Sequence, residues 1–155
     1  MHENQISPSE WEVMRVVWTT HPITSKEIND SLKAKKEWKL ATTKTLIGRL
    51  VKKGMLSTEQ KGRKYEYSPV VSEKESIDEA IDDLLNQMCT TKVGQTIETI
   101  LEKSTVSMSD LERLEALIQE KKVNAPEKVK CGCTPGQCSC VHQGGKNDGD
   151  EIVSD

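Results

Sequence analysis

The chain has 155 residues, a formal net charge of −3, and only three Trp, two Tyr and no Phe within a 34% hydrophobic composition. That is room for one compact domain, or two small ones with a tail, and for modest cores only. No run of about 18 apolar residues occurs, which excludes a membrane-spanning helix, and Met1-His2-Glu3-Asn4-Gln5 lacks the basic and apolar regions of a secretory signal.

A cytoplasmic protein is therefore expected, in a compartment where disulfides rarely persist. Its charge is unevenly placed. Residues 1–71 carry 13 Lys/Arg against 8 Asp/Glu, and residues 72–155 carry 9 against 17. A basic front joined to an acidic rear suits a nucleic-acid-binding domain beside a module that does not bind it.

In chain order, Trp11, Met14, Val17 and Trp18 recur at helical spacing and predict a helix over Ser9–Thr19, opened by Ser7-Pro8 and stopped by His21-Pro22. Thr24 with Glu27 is a capping box opening a second helix that turns Ile28 and Leu32 inward. A loop of mixed charge at Lys35-Lys36-Glu37 leads to a third helix within Trp38–Gly54, with Gly54 as its terminator. Steps of about 100° per residue from Leu40 put Thr43, Ile47, Leu50 and Val51 on one side, and Thr42, Thr45, Arg49, Lys52 and Lys53 on the other. From Lys39 to Lys53 there are five basic residues and no acidic one. Two strand-like runs follow, Met55–Gln60 and Lys64–Ser68, joined by the basic turn Lys61-Gly62-Arg63. Three helices and a basic-tipped hairpin are the order of a winged helix-turn-helix.

Beyond it, Ser72 and Glu75 cap a helix whose Ile77, Ala80, Ile81, Leu84, Leu85 and Met88 form one apolar stripe. A second carries Val93, Ile97, Ile100 and Leu101, and a third, capped by Ser109 and Glu112, carries Leu111, Leu114, Leu117 and Ile118. Three short helices bury too little surface to stand alone, so another copy of the chain is the expected partner. After Lys122 the periodicity ends, and a poorly ordered tail is expected unless a ligand organises it. The chain thus reads as mainly α: a winged helix-turn-helix DNA-binding domain (1–71), a three-helix dimerisation domain (72–122) and a disordered Cys-rich tail (123–155).

Two constellations carry chemistry. Thr42, Thr45 and Arg49 recur about a turn apart on a face without carboxylates and are placed to meet bases. The Arg fork matches two acceptors on guanine, and Thr offers a hydroxyl and a methyl. Lys44, Lys52, Lys53 and, from the hairpin, Lys61, Arg63 and Lys64 are placed to neutralise phosphates. A solvated basic face is the plainer alternative. In the tail, Cys131-Gly132-Cys133 and Cys138-Ser139-Cys140 flank Thr134-Pro135-Gly136-Gln137. Pro-Gly is a turn signal, so the two pairs can face each other and gather four thiolates. Zinc takes four thiolates tetrahedrally and Cu(I) favours thiolate-rich sites, so spacing leaves the metal open. Lys128 and Lys130 are expected to lower the thiol pKa values. A disulfide redox switch and incidental thiols are the competing readings. Cys89, beside Met88 at the end of an apolar helix, reads as a small buried residue. His2 and His21 read as surface residues, and His142 as an accessory ligand at most. No nucleophile–base pair, phosphate-cradling glycine motif or open metal position points to an enzyme.

The runs Ser9-Glu10-Trp11-Glu12-Val13-Met14, Trp18, Trp38 to Leu50, Lys53-Gly54-Met55-Leu56 and Gly62 to Pro69 resemble the penicillinase-repressor (BlaI/MecI) family over roughly residues 5–122. The resemblance implies a winged-helix domain plus a helical dimerisation domain repressing transcription at palindromic operators. Lys39-Leu40 departs from the Ser-Pro common at that helix start. The C-x-C-x4-C-x-C tail behind such a body is similar to the copper-responsive, CopY-type branch. That likeness implies a Zn(II)-loaded form holding a palindrome of TACA and TGTA halves, and Cu(I) from a copper chaperone displacing zinc and releasing the DNA. The genes freed would encode copper-transporting ATPases and the chaperone, and Cys131, Cys133, Cys138 and Cys140 match the motif one for one. Penicillinase repressors are inactivated by cleavage at an Asn-Phe bond, whereas this chain has no Phe and carries Thr99-Ile100 near that place. A proteolytically controlled repressor, and from another class a thiolate metal-storage or delivery protein, are the alternatives.

Overall fold

The computed structural model describes residues 5–139. The chain divides into two compact units, Met1–Ile81 and Asp82–Asp155.

In the first, helix α1 (Pro8–Thr19) starts where Ser7 and Glu10 cap each other's backbone amides, with Pro8 in its first turn. A two-residue strand β1 (Ile23–Thr24), which periodicity did not predict, precedes α2 (Ser25–Leu32), capped by Thr24 and Glu27 as expected. Helix α3 spans Leu40–Lys52. Gly54 ends it at φ 79°, its amide bonding the Val51 carbonyl while the Met55 amide reaches back to Leu50. Those two bonds are a Schellman motif, which requires the left-handed conformation that glycine adopts without steric cost.

Strands β2 (Leu56–Lys61) and β3 (Lys64–Pro69) pair antiparallel with Lys61 opposite Lys64, and β1 adds to β3, giving the order β1-β3-β2. The unit is a winged helix-turn-helix: α1 supports α2 and α3, and the β2–β3 hairpin is the wing. Its core joins Val13, Met14 and Val17 of α1 to Ile28 and Leu32 of α2, Leu46, Ile47 and Leu50 of α3, and Ile23, Met55 and Leu56. Trp11 and Trp18 meet edge to face on its border, and the Trp18 indole N–H donates to the Val71 carbonyl at 2.9 Å.

Two polar contacts are built into this core. The buried Thr43 hydroxyl donates to Asn29 Oδ1 at 2.6 Å, tying α3 to α2. Glu10, 1% exposed, accepts from Lys53 Nζ at 2.6 Å, tying the end of α3 to the start of α1. Burial alone would raise the Glu10 pKa. The Lys53 ammonium and the Ser7 amide outweigh it and hold the carboxyl below the ordinary range.

Helix α4 (Glu73–Asn86), capped by Ser72 and Glu75, contains the boundary between the units. A single 3-10 turn at Thr90–Lys92 precedes α5 (Val93–Lys103), and α6 spans Met108–Lys122. The cap of α6 is Ser107 with Asp110, not Ser109 with Glu112. Both pairs satisfy the capping pattern, and the earlier start gains two residues of helix without turning the Leu111–Ile118 stripe. These helices leave their apolar stripes open: Ile77, Ile81, Leu84, Leu85, Ile97, Ile100, Leu111, Leu117 and Ile118 are all exposed. Among the described residues beyond Ile81, Cys89 is the only buried apolar side chain. None of the described helices is long and apolar enough to cross a membrane.

Lys53→Ala leaves a buried carboxylate unpaired and should destabilise the first unit by roughly 3 kcal/mol at pH 7. Because the Glu10 pKa is depressed in the fold, its pairing contributes above the unfolded carboxylate range and fades as pH falls through it. Urea denaturation of wild type and variant should therefore show a gap that is widest at neutral pH and narrows below about pH 4.5.

Candidate nucleic-acid interface and metal centre

Helix α3 presents Thr42, Lys44, Thr45, Arg49 and Lys52 to solvent, opposite the buried Thr43, Leu46, Ile47 and Leu50. Periodicity separated these faces, although it missed Leu46 as a core residue. The Thr45 hydroxyl donates to the Ala41 carbonyl at 3.0 Å, so it turns its methyl and lone pairs outward rather than a proton. Lys39 is the N-cap with no side-chain cap bond, in keeping with its departure from Ser-Pro. Lys61, Arg63 and Lys64 lie exposed at the wing tip, Lys61 beside Glu59 at 2.6 Å. Such an exposed pair is worth little and exchanges readily for a phosphate. Lys53 stands apart: half-buried, its ammonium is held by Glu10 at 2.6 Å and donates to the Gln5 carbonyl at 2.8 Å. Signs of its different role were the capping glutamate at position 10 and its own place at the C-cap.

In the second unit the tail returns to the end of α4. Thr134 to Gln137 form a turn with Pro135 second and Gly136, at φ 93°, third, closed by the Gln137 amide on the Thr134 carbonyl at 3.0 Å. Pro and Gly fit those two positions of a type II turn. The turn brings Cys131 Sγ and Cys138 Sγ to 3.2 Å, and the Cys133 amide donates to Cys131 Sγ at 3.3 Å. Cys140, the fourth predicted ligand, and His142 lie outside the described residues.

The sulfur that sequence reasoning passed over is Cys89. Its Sγ lies 3.5 Å from Cys131 Sγ and 3.1 Å from the Thr91 hydroxyl. The Sγ atoms of Cys89, Cys131, Cys133 and Cys138 all lie within 4.8 Å of one another. Zinc–sulfur bonds of about 2.3 Å in a tetrahedron require sulfurs about 3.8 Å apart, so this donor set fits a thiophilic ion with small adjustments. No local pattern in the sequence marked Cys89, which is 42 positions from Cys131. The only clue was a fifth cysteine in a chain not expected to form disulfides.

The neighbouring thiols act on the ionisation of Cys133. The Cys133 pKa is pushed up to about 11, first by its hydrogen bond with Cys89, then by burial and by Cys138. At this thiol the lowering expected from Lys128 and Lys130 does not occur. Both lysines are exposed, and the sulfurs are the nearer influence. The tail is steadied by the Thr90 hydroxyl, which donates to the Lys130 carbonyl at 2.6 Å.

The profile of the penicillinase repressor family matches residues 6–120. The chain belongs to the penicillinase repressor family. That family consists of DNA-binding transcriptional repressors rather than enzymes. An uncharacterized 16.5 kDa protein in the ptsI 3′ region of Latilactobacillus sakei is 44% identical over 88% of this chain and 94% of its own length. The penicillinase repressor of Bacillus licheniformis is 30% identical over 76% of this chain and 92% of its own. Among solved structures, the DNA-binding domain of the repressor BlaI is 36% identical, covering 46% of this chain and 88% of that one, with a TM-score of 0.43. A CopR repressor structure is 49% identical, covering 43% and 97%, with a TM-score of 0.38.

Replacing Thr90 with Val removes the bond to Lys130. A net loss of about 1 kcal/mol should raise amide hydrogen exchange around residues 128–133 roughly fivefold in the metal-free protein. Exchange in the first unit should be unchanged.

Proposed function

We propose that this chain is a copper-responsive transcriptional repressor that binds a palindromic operator as a homodimer in the cytoplasm. Operator DNA is held by Thr42, Thr45 and Arg49 at base edges and by Lys44, Lys52, Lys61, Arg63 and Lys64 at phosphates. The observation that carries the reading is the pairing, in one chain of a repressor family, of a carboxylate-free basic helix with a four-sulfur cluster. Lys53 is left out of the phosphate set because its ammonium already serves Glu10. The open stripes on α4, α5 and α6 support assembly of two copies, since contiguous exposed apolar surface of this kind marks an interface.

Bound Zn(II) supplies a tetrahedral node that thiolates can share, and Cu(I), being softer, competes for the same thiolates. Cys131, Cys133, Cys138 and Cys140 are the proposed tail ligands, with zinc in the repressing form and Cu(I), handed over by a copper chaperone, in the released form. The regulated genes are those for copper export and copper delivery. Metal exchange can alter DNA affinity only if the ions differ in their preference for the DNA-competent dimer.

The test is operator binding by fluorescence anisotropy at one fixed salt concentration, on a duplex of TACA and TGTA halves. Cu(I) added to the zinc-loaded complex should weaken binding by roughly 5–150-fold, the usual span of an allosteric coupling. An unchanged affinity, or an identical copper response after all four tail cysteines are made serine, would overturn the reading. Arg49→Ala should cost about 1–3 kcal/mol and relax the sequence preference. Lys44→Ala or Lys52→Ala should instead weaken all duplexes alike and each lower the slope of log K against log salt by about 1.

A further inference from the structure

Cys89 does not belong to the paired C-x-C motif, yet its sulfur lies inside the cluster. It is the N-cap residue of the Thr90–Lys92 turn, three positions past the end of α4, and it is buried where the tail residues are half-buried. Its partners hold it from both sides. Thr91 lies against its sulfur at 3.1 Å, and the neighbouring Thr90 fixes the tail backbone at Lys130, one residue before Cys131. The tail thus reaches the helical unit at a place where a sulfur already stands within 3.5 Å of its first cysteine.

We propose that Cys89 is a metal ligand, forming a four-thiolate site with Cys131, Cys133 and Cys138 and taking the fourth place that the tail motif alone would give to Cys140. The ion then staples the tail to the end of α4. A site built from the tail alone would close only a small loop. With Cys89 as a ligand, binding closes a span of 42 positions through the helical unit. Each thiol that joins the site gives up its proton as its bond to the ion forms, and the protons pass to solvent. An ion satisfied by fewer thiolates than zinc would leave one of these sulfurs unbound, and Cys89, held by the helical unit rather than by the tail, is the ligand whose release undoes the staple. This inference rests on the thiolate-site reading above, and the experiment separates the two.

Full-length protein is loaded with Co(II) as a spectroscopic stand-in for zinc, and zinc affinity is measured by competition with a chromophoric chelator. Wild type should show the visible bands of tetrahedral all-sulfur cobalt. In Cys89→Ser those bands should move to higher energy, and zinc affinity should fall by at least about tenfold, the lower end of what loss of even an outer-shell partner costs. Cys89→His should recover much of the affinity with a mixed nitrogen–sulfur spectrum, which a merely structural role would not produce. If Cys89→Ser keeps the wild-type bands and affinity while serine at Cys131, Cys133 or Cys138 loses them, Cys89 is not a ligand and the tail site stands. If wild type gives no sulfur-to-cobalt charge transfer, the thiolate reading itself fails. Should circular dichroism show Cys89→Ser to be unfolded, hydrogen exchange of wild type decides. Zinc should then protect residues 88–91 as well as 131–138, and protection confined to the tail overturns the proposal.

Discussion

Sulfurs crowded into one small volume cannot all be anions unless a cation sits among them. Two like unit charges about 4 Å apart repel by roughly 4 kcal/mol at the effective dielectric near a protein surface. Cys131 lies 3.2 Å from Cys138 and 3.5 Å from Cys89, and at Cys133 the thiols of Cys89 and Cys138, together with burial, push the pKa up. Neutral thiols are weak donors and acceptors and hold one another loosely. A divalent ion reverses this, because every sulfur then gains by losing its proton. On the proposed reading, a bound ion would add to the contacts that hold residues 131–138.

The second unit has little burial to hold it. The first unit buries eleven apolar side chains in one core, whereas α4, α5 and α6 leave their stripes to solvent. Helices that expose the face meant for packing gain little from propensity alone. On the proposed reading, contact with a second copy and a metal link across the chain would add to that gain. Cross-linking a span of 42 positions lowers the entropy of the unfolded chain by about 4 kcal/mol at room temperature if a metal bridge acts as a disulfide does. For a unit with so small a core, that is comparable to its whole stability.

Much of this was legible in the sequence because it depends on local rules. The capping pairs Thr24–Glu27 and Ser72–Glu75, the terminator Gly54, the hairpin and the Pro135-Gly136 turn each rest on a few adjacent residues, and each stands where those rules put it. What was missed is long-range. Strand β1 exists because β3 offers Ile23 and Thr24 an edge at Tyr67 and Glu66, far along the chain. Lys53 was placed by angle on the basic face, but angle does not reveal that Glu10 is buried across from it and needs a cation. Cys89 resembled any small apolar residue at a helix end until the tail folded back onto it. Ser107 and Ser109 offered two equally good caps, and no local rule chooses between them.

On the proposed reading, the rigidity of α3 limits where a metal signal could act. Its first half is tied to α2 by the buried Thr43–Asn29 bond and packed through Leu46, Ile47 and Leu50, and its end is tied to α1 by Lys53 on Glu10. Leaving any one buried polar group without its partner costs about 1–3 kcal/mol. Reorienting α3 would break several at once, for a signal whose whole coupling energy is typically 1–3 kcal/mol. The recognition helix is therefore a poor place to spend that energy. The separation or stability of paired second units is a better one, because a palindromic operator demands that two recognition helices fit half-sites about one helical turn apart. On the proposed reading, an ion that opens or closes the Cys89 staple acts on the pairing and leaves each grip intact.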